Sequence, residues 1–425
     1  MPTSVKTDKR QTVHGDWLIA LFLLTFPSVA MLLNGGASAM SIIASALSLA
    51  VLCWPRSGAP YGYARPRRLG LAVCVALAGP LVAVMLSTRL HGHVSLRYWD
   101  SPSRFLLAVP LFLALRRAPQ RVFAWADLSF TLGVLSTLVI ILFMSRDWGD
   151  GRVSSKFLNP IHFGDIALAF AVLSALSLNW WRKDTVLLRV LKIAGLFAGL
   201  AVSLLTGSRG GWAAIPPIAV LILWERGRGK SLRWNVLAPL AVVALLALVY
   251  GLSGSVRERI DMVSSDLAQY THGERDTAVG IRLQLYDVAF TLIRQHPVLG
   301  LGGEGFRDAM PGLVRQGALT PLAAQFGIGE THNQLLAYTV NFGIVGGIAL
   351  LGIYVVPALF FASRLRAASG TVRRTALMGL SFVLMFLVFG LTVETFDLKG
   401  TVAFYATVVA VLLAITDRAD AVSAA

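Results

Sequence analysis

Repeated apolar runs, many of them close to twenty residues long, constrain the fold of this chain more than any other feature of its sequence. A helix needs about 20 apolar residues to cross the hydrocarbon core of a bilayer, where its backbone polar groups must pair with one another. Of the 425 residues, 56% are hydrophobic and 14% are charged, whereas soluble domains carry about 25% charged residues. The sequence therefore predicts an all-α, polytopic membrane protein.

Twelve apolar runs are candidate membrane spans, and a long polar interval separates the ninth from the tenth. This pattern predicts one integral membrane domain, with nine spans in residues 1–252, a helical insertion at 253–330 and three spans in residues 331–425. The first span is expected to remain uncleaved, because it contains Pro27 and lacks a clear small-residue cleavage site. The runs lie at residues 17–33, 37–54, 69–87, 102–115, 122–144, 161–179, 187–205, 211–225, 234–252, 331–362, 373–391 and 400–416.

Basic residues are distributed unequally between alternate loops. The short loops of one side carry 17 Lys and Arg residues, and the opposite short loops carry 7. Because cytoplasmic loops carry the excess of Lys and Arg, both termini are expected in the cytoplasm and the 253–330 insertion in the periplasm. Topology, anionic membrane lipids and phosphate ligands account for the formal charge of +16, so we do not expect nucleic acid binding.

The polar insertion contains two helical patterns. Apolar residues recur at helical spacing over residues 256–267 and again over about 279–295, with Arg282 next to the second stripe. His296-Pro297 ends the second helix, since a residue before proline disfavours the helical conformation. The following run, Gly300–Phe306, predicts a tight turn.

His332 is the first candidate for chemistry, because it stands near the start of the tenth span with Thr331 as a candidate N-cap. A helix N-terminus disfavours a protonated imidazole, and a neutral imidazole can act as a general base. Glu330 either orients this imidazole or competes with it, and Asn333 follows it as a candidate for substrate binding. The alternative is an interfacial histidine without a chemical role.

Three arginines are candidates for binding an anionic ligand. Arg209 precedes Gly210-Gly211, which lets another group approach the backbone, and a guanidinium binds a diphosphate through paired donors. Arg282 lies on the second predicted helix of the insertion. Arg104 lies within an apolar span, where an arginine costs about 2.5–3.5 kcal/mol at mid-bilayer and needs a partner or a ligand. The alternatives are snorkelling for Arg209, solvation for Arg282 and an ion pair with Asp100 for Arg104.

The sequence does not predict a metal site. His91 and His93 form a pair in a loop, but no thiols or convergent carboxylates accompany them. Cys53 and Cys74 lie in or at the edge of apolar runs and imply neither a disulfide framework nor a metal site. We therefore expect neither a metal ion nor a cofactor.

Four short stretches of the sequence stand out together. They are Arg294-Gln295-His296-Pro297-Val298-Leu299-Gly300-Leu301-Gly302, Thr331-His332-Asn333-Gln334-Leu335-Leu336, Asn341-Phe342-Gly343-Ile344-Val345-Gly346 and Ser208-Arg209-Gly210-Gly211. In these stretches the chain resembles the O-antigen ligase and polymerase superfamily of membrane glycosyltransferases. The matches cover roughly residues 200–350, and the twelve predicted spans with one large outer insertion are similar to the superfamily's architecture.

The resemblance implies a GT-C-like enzyme of the bacterial inner membrane whose donor is an undecaprenyl-diphosphate glycan. The ligases move this glycan to lipid A–core on the periplasmic face, with inversion and without a nucleotide sugar or a required metal ion. By resemblance, His332 is the essential histidine, and Arg209 and Arg282 are essential arginines near the donor diphosphate. The expected substrate-binding residues are these two arginines with Arg104 and Asn333.

Three other functions remain open from the sequence. An O-antigen polymerase uses the same donor but extends another lipid-linked repeat, and Arg294 and Gly305 fit the R-x10-G spacing of polymerase loops. A single such match carries little weight in a chain with 39 glycines. A protein O-oligosaccharyltransferase is the second alternative. A lipid or glycan transporter is the third, and it favours broken helices and charged residues at mid-membrane, often in repeated halves.

Overall fold

The computed structural model describes residues 9–53, 67–92, 96–149, 151–208, 210–227, 232–252 and 254–424. These residues form sixteen α-helices and one small antiparallel pair of strands, β1 (Arg146–Asp147) and β2 (Val153–Ser154). The helices are α1 (Lys9–Leu32), α2 (Gly36–Cys53), α3 (Arg67–Leu90), α4 (Leu96–Leu115), α5 (Ser129–Val139), α6 (Pro160–Leu176), α7 (Val186–Leu205), α8 (Ile215–Gly227), α9 (Leu232–Leu252), α10 (Gly254–Thr271), α11 (Ala278–Gln295), α12 (Gly305–Arg315), α13 (Pro321–Gly327), α14 (Gln334–Arg364), α15 (Gly370–Phe389) and α16 (Lys399–Ala424).

Helical structure overlaps every one of the twelve predicted runs, so the all-α prediction is confirmed. In the fifth run a 3-10 helix (Gln120–Asp127) and a π-helix (Ile140–Met144) flank α5, and in the eighth a 3-10 helix (Gly210–Ala214) precedes α8. Within the described residues, seven helical stretches are long and apolar enough to cross a membrane, and two apolar helices are shorter. The count of twelve spans and the division into spans and insertion stay predictions.

Helix α16 forms the centre of the bundle. It packs against α2, α4, α14 and α15, and every residue from Thr401 to Arg418 is buried. Tyr405 contacts several rings, including Phe386 with a centroid distance of 5.0 Å and Phe396 with 5.1 Å. Because α16 is held on all sides, the connection that leads into it from α15 has a fixed position.

A buried ion cluster near the N-terminal end of α7 joins this helix to the segments next to α5 and α6. Lys192 is completely buried, and its Nζ lies 2.8 Å from Asp127 Oδ1 and 3.1 Å from Asp184 Oδ1. The same ammonium donates to the Ser177 carbonyl oxygen at 2.8 Å. A lysine inside an apolar helix is tolerated because these acceptors replace water.

The polar insertion has a hydrophobic core of its own. The two predicted helices are confirmed as α10 and α11, and α11 ends at Gln295 as the following His296-Pro297 predicts. Its buried face, which includes Leu285, packs with α12, α13 and Val340 of α14. The sequence reading did not identify α12 and α13, because they are only 11 and 7 residues long.

Helix α14 is interrupted at Gly343, which corrects the prediction of one continuous span over residues 331–362. Gly343 has φ 66° and ψ −167°, a conformation open in practice only to glycine. In a straight helix Gln334 and Tyr354 would lie about 30 Å apart. Here a Cβ built at Gly390 would lie 3.2 Å from Gln334 Cβ and 3.3 Å from the Tyr354 hydroxyl. The segment 334–342 therefore folds back along the longer segment that follows it.

The turn between α11 and α12 provides the hydrogen-bond partners that this break requires. Ile344 N–H donates to the Pro297 carbonyl oxygen at 2.8 Å, while Leu301 and Gly302 N–H donate to the Val340 and Asn341 carbonyls at 3.0 and 2.8 Å. These are backbone groups that a continuous helix would have paired internally. We call this contact between residues 297–302 and 340–344 the backbone clasp.

The clasp leaves no room for side chains at its crossing points. A Cβ at Gly343 would lie 2.1 Å from the Val298 carbonyl oxygen, and a Cβ at Gly300 would lie 2.4 Å from the Asn341 carbonyl carbon. From α3, the Ser87 hydroxyl donates to the Leu299 carbonyl at 2.7 Å. Two of the sequence stretches that stood out together are thus joined in space by backbone contacts.

We predict that Gly343→Ala and Gly300→Ala each destabilise the protein by at least about 1–3 kcal/mol, because each adds backbone strain to a steric clash. The measurement is the thermal unfolding midpoint in detergent. Gly352→Ala in the same helix is the matched control, since its Cβ would lie 3.9 Å from the nearest atom of Ala76. Equal midpoints for all three variants would contradict the clasp.

Candidate functional site

His332 lies in a strained turn just before α14 and forms a close pair with Glu330. Its φ of 59° is in the left-handed region that non-glycine residues rarely adopt. The distance between His332 Nδ1 and Glu330 Oε1 is 2.9 Å, and 16% of the histidine side chain is exposed. Backbone strain held in place by surrounding contacts is typical of functional sites.

Hydrogen bonds join this turn to the connection between α15 and α16. Thr331 N–H donates to the Glu394 carboxylate, and Glu394 N–H donates to Glu330 Oε2 at 3.2 Å. Gln334 N–H donates to the Gly390 carbonyl at 2.7 Å, and its side-chain oxygen accepts from Phe396 N–H at 2.5 Å. The fold-back of α14 makes these contacts geometrically accessible.

The two carboxyl groups of this cluster are held in different protonation states. Burial favours a raised pKa for Glu330, but the hydrogen bond and the charge of His332 outweigh burial and hold the pKa below its usual range. Burial raises the pKa of Glu394 from 4.5 to about 8, against the opposing hydrogen bonds from Thr331. At pH 7 Glu330 is therefore an ionised acceptor and Glu394 is mainly neutral.

Asn333 is the N-cap of α14, so the expectation that Thr331 takes this role is wrong. Asn333 Oδ1 accepts from Leu335 N–H at 3.0 Å and from Leu336 N–H at 3.1 Å. The left-handed turn at His332 moves the start of the helix forward and leaves the Thr331 hydroxyl donating to the Asn333 carbonyl at 2.9 Å. The cap occupies Oδ1 of Asn333, the predicted substrate-binding residue.

The N-terminus of α6 forms a second wall of the site, which the sequence reading missed. Asn159 caps this helix, and its Oδ1 lies 2.9 Å from His162 Nδ1. The other ring nitrogen of His162 lies 3.3 Å from the Glu394 carbonyl oxygen. The Asn159-Pro160 pair is a helix-start signal that could have pointed to this wall.

Arg209 lies outside the described residues, but its neighbours pack beside the same connection. Ser208 Oγ donates to Asp165 Oδ1 of α6 at 2.9 Å. A Cβ at Gly210 would lie 2.7 Å from Thr392 Oγ1, two residues before Glu394. The glycine after Arg209 thus permits close backbone approach, as the sequence predicted.

Arg282 is exposed on α11, one turn before Tyr286. The Tyr286 hydroxyl donates to the His332 carbonyl at 3.2 Å, and residues four apart share a helix face. The side chain of Arg282 makes no hydrogen bond or ion pair with the residues that the structure describes. Arg282 therefore lies on the same face of α11 as Tyr286, which contacts the histidine turn.

Arg104 has the protein partner that the alternative reading proposed. Its Nη2 lies 2.5 Å from Asp100 Oδ1, and Lys399 Nζ lies 3.2 Å from the other carboxylate oxygen. Arg104 Nε is buried and has no hydrogen-bond partner among the described residues. The ion pair explains how α4 tolerates an arginine. Only the N–H groups of Arg104 outside this ion pair could contact a ligand.

The described residues contain no group of three or more His, Cys, Asp or Glu side chains arranged to hold a metal ion. His91 Nδ1 lies 2.8 Å from the Ser87 carbonyl oxygen, and His93 lies outside the described residues. Cys53 and Cys74 are free. The expectations of a site without metal ion or cofactor stay predictions.

Comparison with known proteins shows which protein family this region of the chain is similar to. Residues 193–351 match the family model described as O-Antigen ligase, a range that includes the Arg209 loop, Arg282, the clasp and His332. This match and the apolar helices support a membrane glycosyltransferase of the O-antigen ligase and polymerase type.

Two individual proteins are also similar to parts of this chain. An uncharacterized protein from Haemophilus influenzae is 26% identical over 67% of this chain and 71% of its own length. A protein from Escherichia coli (strain K12) named O-antigen ligase is 22% identical over 48% of this chain. The matched region spans 47% of that ligase, so about half of its length is compared.

The raised pKa of Glu394 predicts a pH-dependent stability. The folded protein holds the proton more tightly than the unfolded chain, so stability should fall as pH rises from about 5 to about 8. Glu394→Gln keeps an acceptor for Thr331 N–H but removes the titration. We expect the unfolding midpoint of wild type to fall by several degrees more than that of Glu394→Gln between pH 5 and 9. Parallel pH profiles would contradict the assignment.

Proposed function

We propose that this protein is an O-antigen ligase that transfers a glycan from undecaprenyl diphosphate to lipid A–core. The observation that carries the proposal is the His332–Glu330 pair, whose turn is hydrogen-bonded to Tyr286 one helical turn from the exposed Arg282, inside the region matched by the ligase family. Such a pair supplies a general base, and the arginine supplies a cation for a diphosphate.

The proposed reaction is a single inverting displacement. His332 accepts the proton of the acceptor hydroxyl while the hydroxyl oxygen attacks the anomeric carbon from the face opposite the diphosphate. Arg209 and Arg282 stabilise the charge that develops on the leaving diphosphate, the task that a metal ion performs in many sugar transferases. Asn333 Nδ2 and the remaining N–H groups of Arg104 are proposed to contact substrate at the edge of the site.

The similarity to the Escherichia coli protein named O-antigen ligase favours ligase over polymerase. The transporter alternative anticipates broken helices, and α14 is broken at Gly343. However, the clasp pairs three of the freed backbone groups with protein instead of leaving them open to a cargo. This pairing supports a fixed scaffold for catalysis.

The proposed setting is the bacterial inner membrane, with both termini cytoplasmic and the site periplasmic. Its support is the excess of Lys and Arg in alternate loops, 17 against 7. In this orientation the apolar helices hold the polyprenyl chain among membrane lipids, and the aqueous side admits both glycans.

We predict that His332→Ala, Arg282→Ala and Arg209→Ala each lower the transfer rate by about 100-fold or more, because each removes a group needed in the transition state. The assay uses proteoliposomes with an undecaprenyl-diphosphate glycan and lipid A–core. Arg315→Ala is the matched control, since Arg315 is exposed on the last turn of α12. Wild-type rates in all three site variants, with normal membrane insertion, would refute the site.

A further inference from the structure

We propose that Glu330 is a positioning residue that fixes the tautomer and direction of the His332 ring, so that Nε2 is the atom that takes the acceptor proton. This inference rests on the proposed function. It resolves the choice that the sequence left open, between a carboxylate that orients the histidine and one that competes with it.

Both oxygens of the Glu330 carboxylate have defined partners. Oε1 lies 2.9 Å from His332 Nδ1, and Oε2 accepts from Glu394 N–H at 3.2 Å. Two directional contacts on one carboxylate prevent its rotation. An ionised carboxylate only accepts hydrogen bonds, so the neutral imidazole must carry its proton on Nδ1 and its lone pair on Nε2.

The backbone on both sides of the ring is equally restrained. Tyr286 O–H donates to the His332 carbonyl at 3.2 Å, and the Glu394 carboxylate accepts from Thr331 N–H. The positive φ of His332 is thus maintained by contacts from α11 and from the connection before α16. No hydrogen bond to Nε2 comes from the described residues, and the partly exposed ring leaves that nitrogen accessible to substrate.

The Glu330–His332 pair has the arrangement of a general base with an orienting acid. A carboxylate that accepts from one imidazole nitrogen stabilises the imidazolium formed when the other nitrogen takes a proton. Competition would instead require the carboxylate to face the substrate. Its two oxygens point to Nδ1 and to a backbone N–H, so the observed geometry favours orientation.

The step balances without an additional reactant. The acceptor O–H proton moves to Nε2, and the oxygen lone pair forms a bond to the anomeric carbon. The bond from that carbon to the phosphate oxygen breaks, and its electron pair leaves with the polyprenyl diphosphate. The imidazolium then releases its proton to water, while Glu330 remains ionised throughout.

The decisive variant is Glu330→Gln, which keeps the size of the side chain but removes its charge. Its amide N–H₂ can donate to Nδ1 and thereby favour the tautomer that carries the proton on Nε2. We expect kcat to fall by about 100- to 10,000-fold, with the KM for donor and acceptor changed less than about threefold. Glu330→Asp keeps the charge on a shorter side chain, so its kcat should be at least about tenfold higher than that of Glu330→Gln.

Glu274→Gln is the matched control, because it makes the same chemical change at an exposed carboxylate between α10 and α11. It should retain wild-type kcat. If Glu330→Gln proves unstable, Glu330→Ala takes its place: unchanged KM with lowered kcat supports positioning, and an unchanged kcat overturns it. A wild-type kcat in Glu330→Gln, or a loss confined to KM, also overturns the inference.

The assay separates this inference from the proposed function. If wild type transfers glycan and His332→Ala does not, the function stands, and Glu330→Gln tests only the positioning role. If wild type transfers glycan to no acceptor, the proposed function fails before the variants are compared.

Discussion

The fold-back of α14 at Gly343 is the constraint on which the rest of the structure depends. A continuous helix would carry residues 330–334 about 30 Å from Tyr354, beyond reach of the connection between α15 and α16. The bend returns that turn to the bundle, where Gln334 and Glu394 join the two segments. The turn at residues 297–302 supplies hydrogen-bond partners for backbone groups at the bend, and it thereby links the polar insertion to the same bend. One local interruption thus positions both the histidine and the helix that carries Arg282.

Close to this bend, two neighbouring carboxyl groups, Glu330 and Glu394, have different protonation states because their surroundings differ. Glu330 faces the His332 ring and is held ionised, whereas burial keeps Glu394 mainly neutral at pH 7. Environments that push the pKa values of nearby acids apart are a common way to divide roles within one site. Here the neutral acid accepts a backbone N–H and supports the turn, and the ionised acid faces the ring.

Hydropathy was sufficient to predict the helical class and the approximate place of the long apolar helices, because bilayer thickness dictates the length of an apolar run. The end of α11 was also readable, since His296-Pro297 has a local steric cause. The bend of α14 was not, because its apolar composition continues across Gly343 and only distant residues pair the freed groups. His332 and Arg282 were candidates because of their places at predicted helices, and their roles stay predictions, whereas His162 and Tyr286 became visible only when distant helices met. Thr331 was misread as a cap because the positive φ of His332 has no signature in a single sequence.

The most direct test of the account is the choice of acceptor by the purified protein in proteoliposomes. The donor is a labelled glycan on undecaprenyl diphosphate, and lipid A–core competes with a second lipid-linked repeat at equal concentration. The account predicts label on lipid A–core together with release of undecaprenyl diphosphate, both lost in His332→Ala. Label that accumulates instead as a longer chain on the lipid-linked repeat would identify a polymerase and contradict the proposed function.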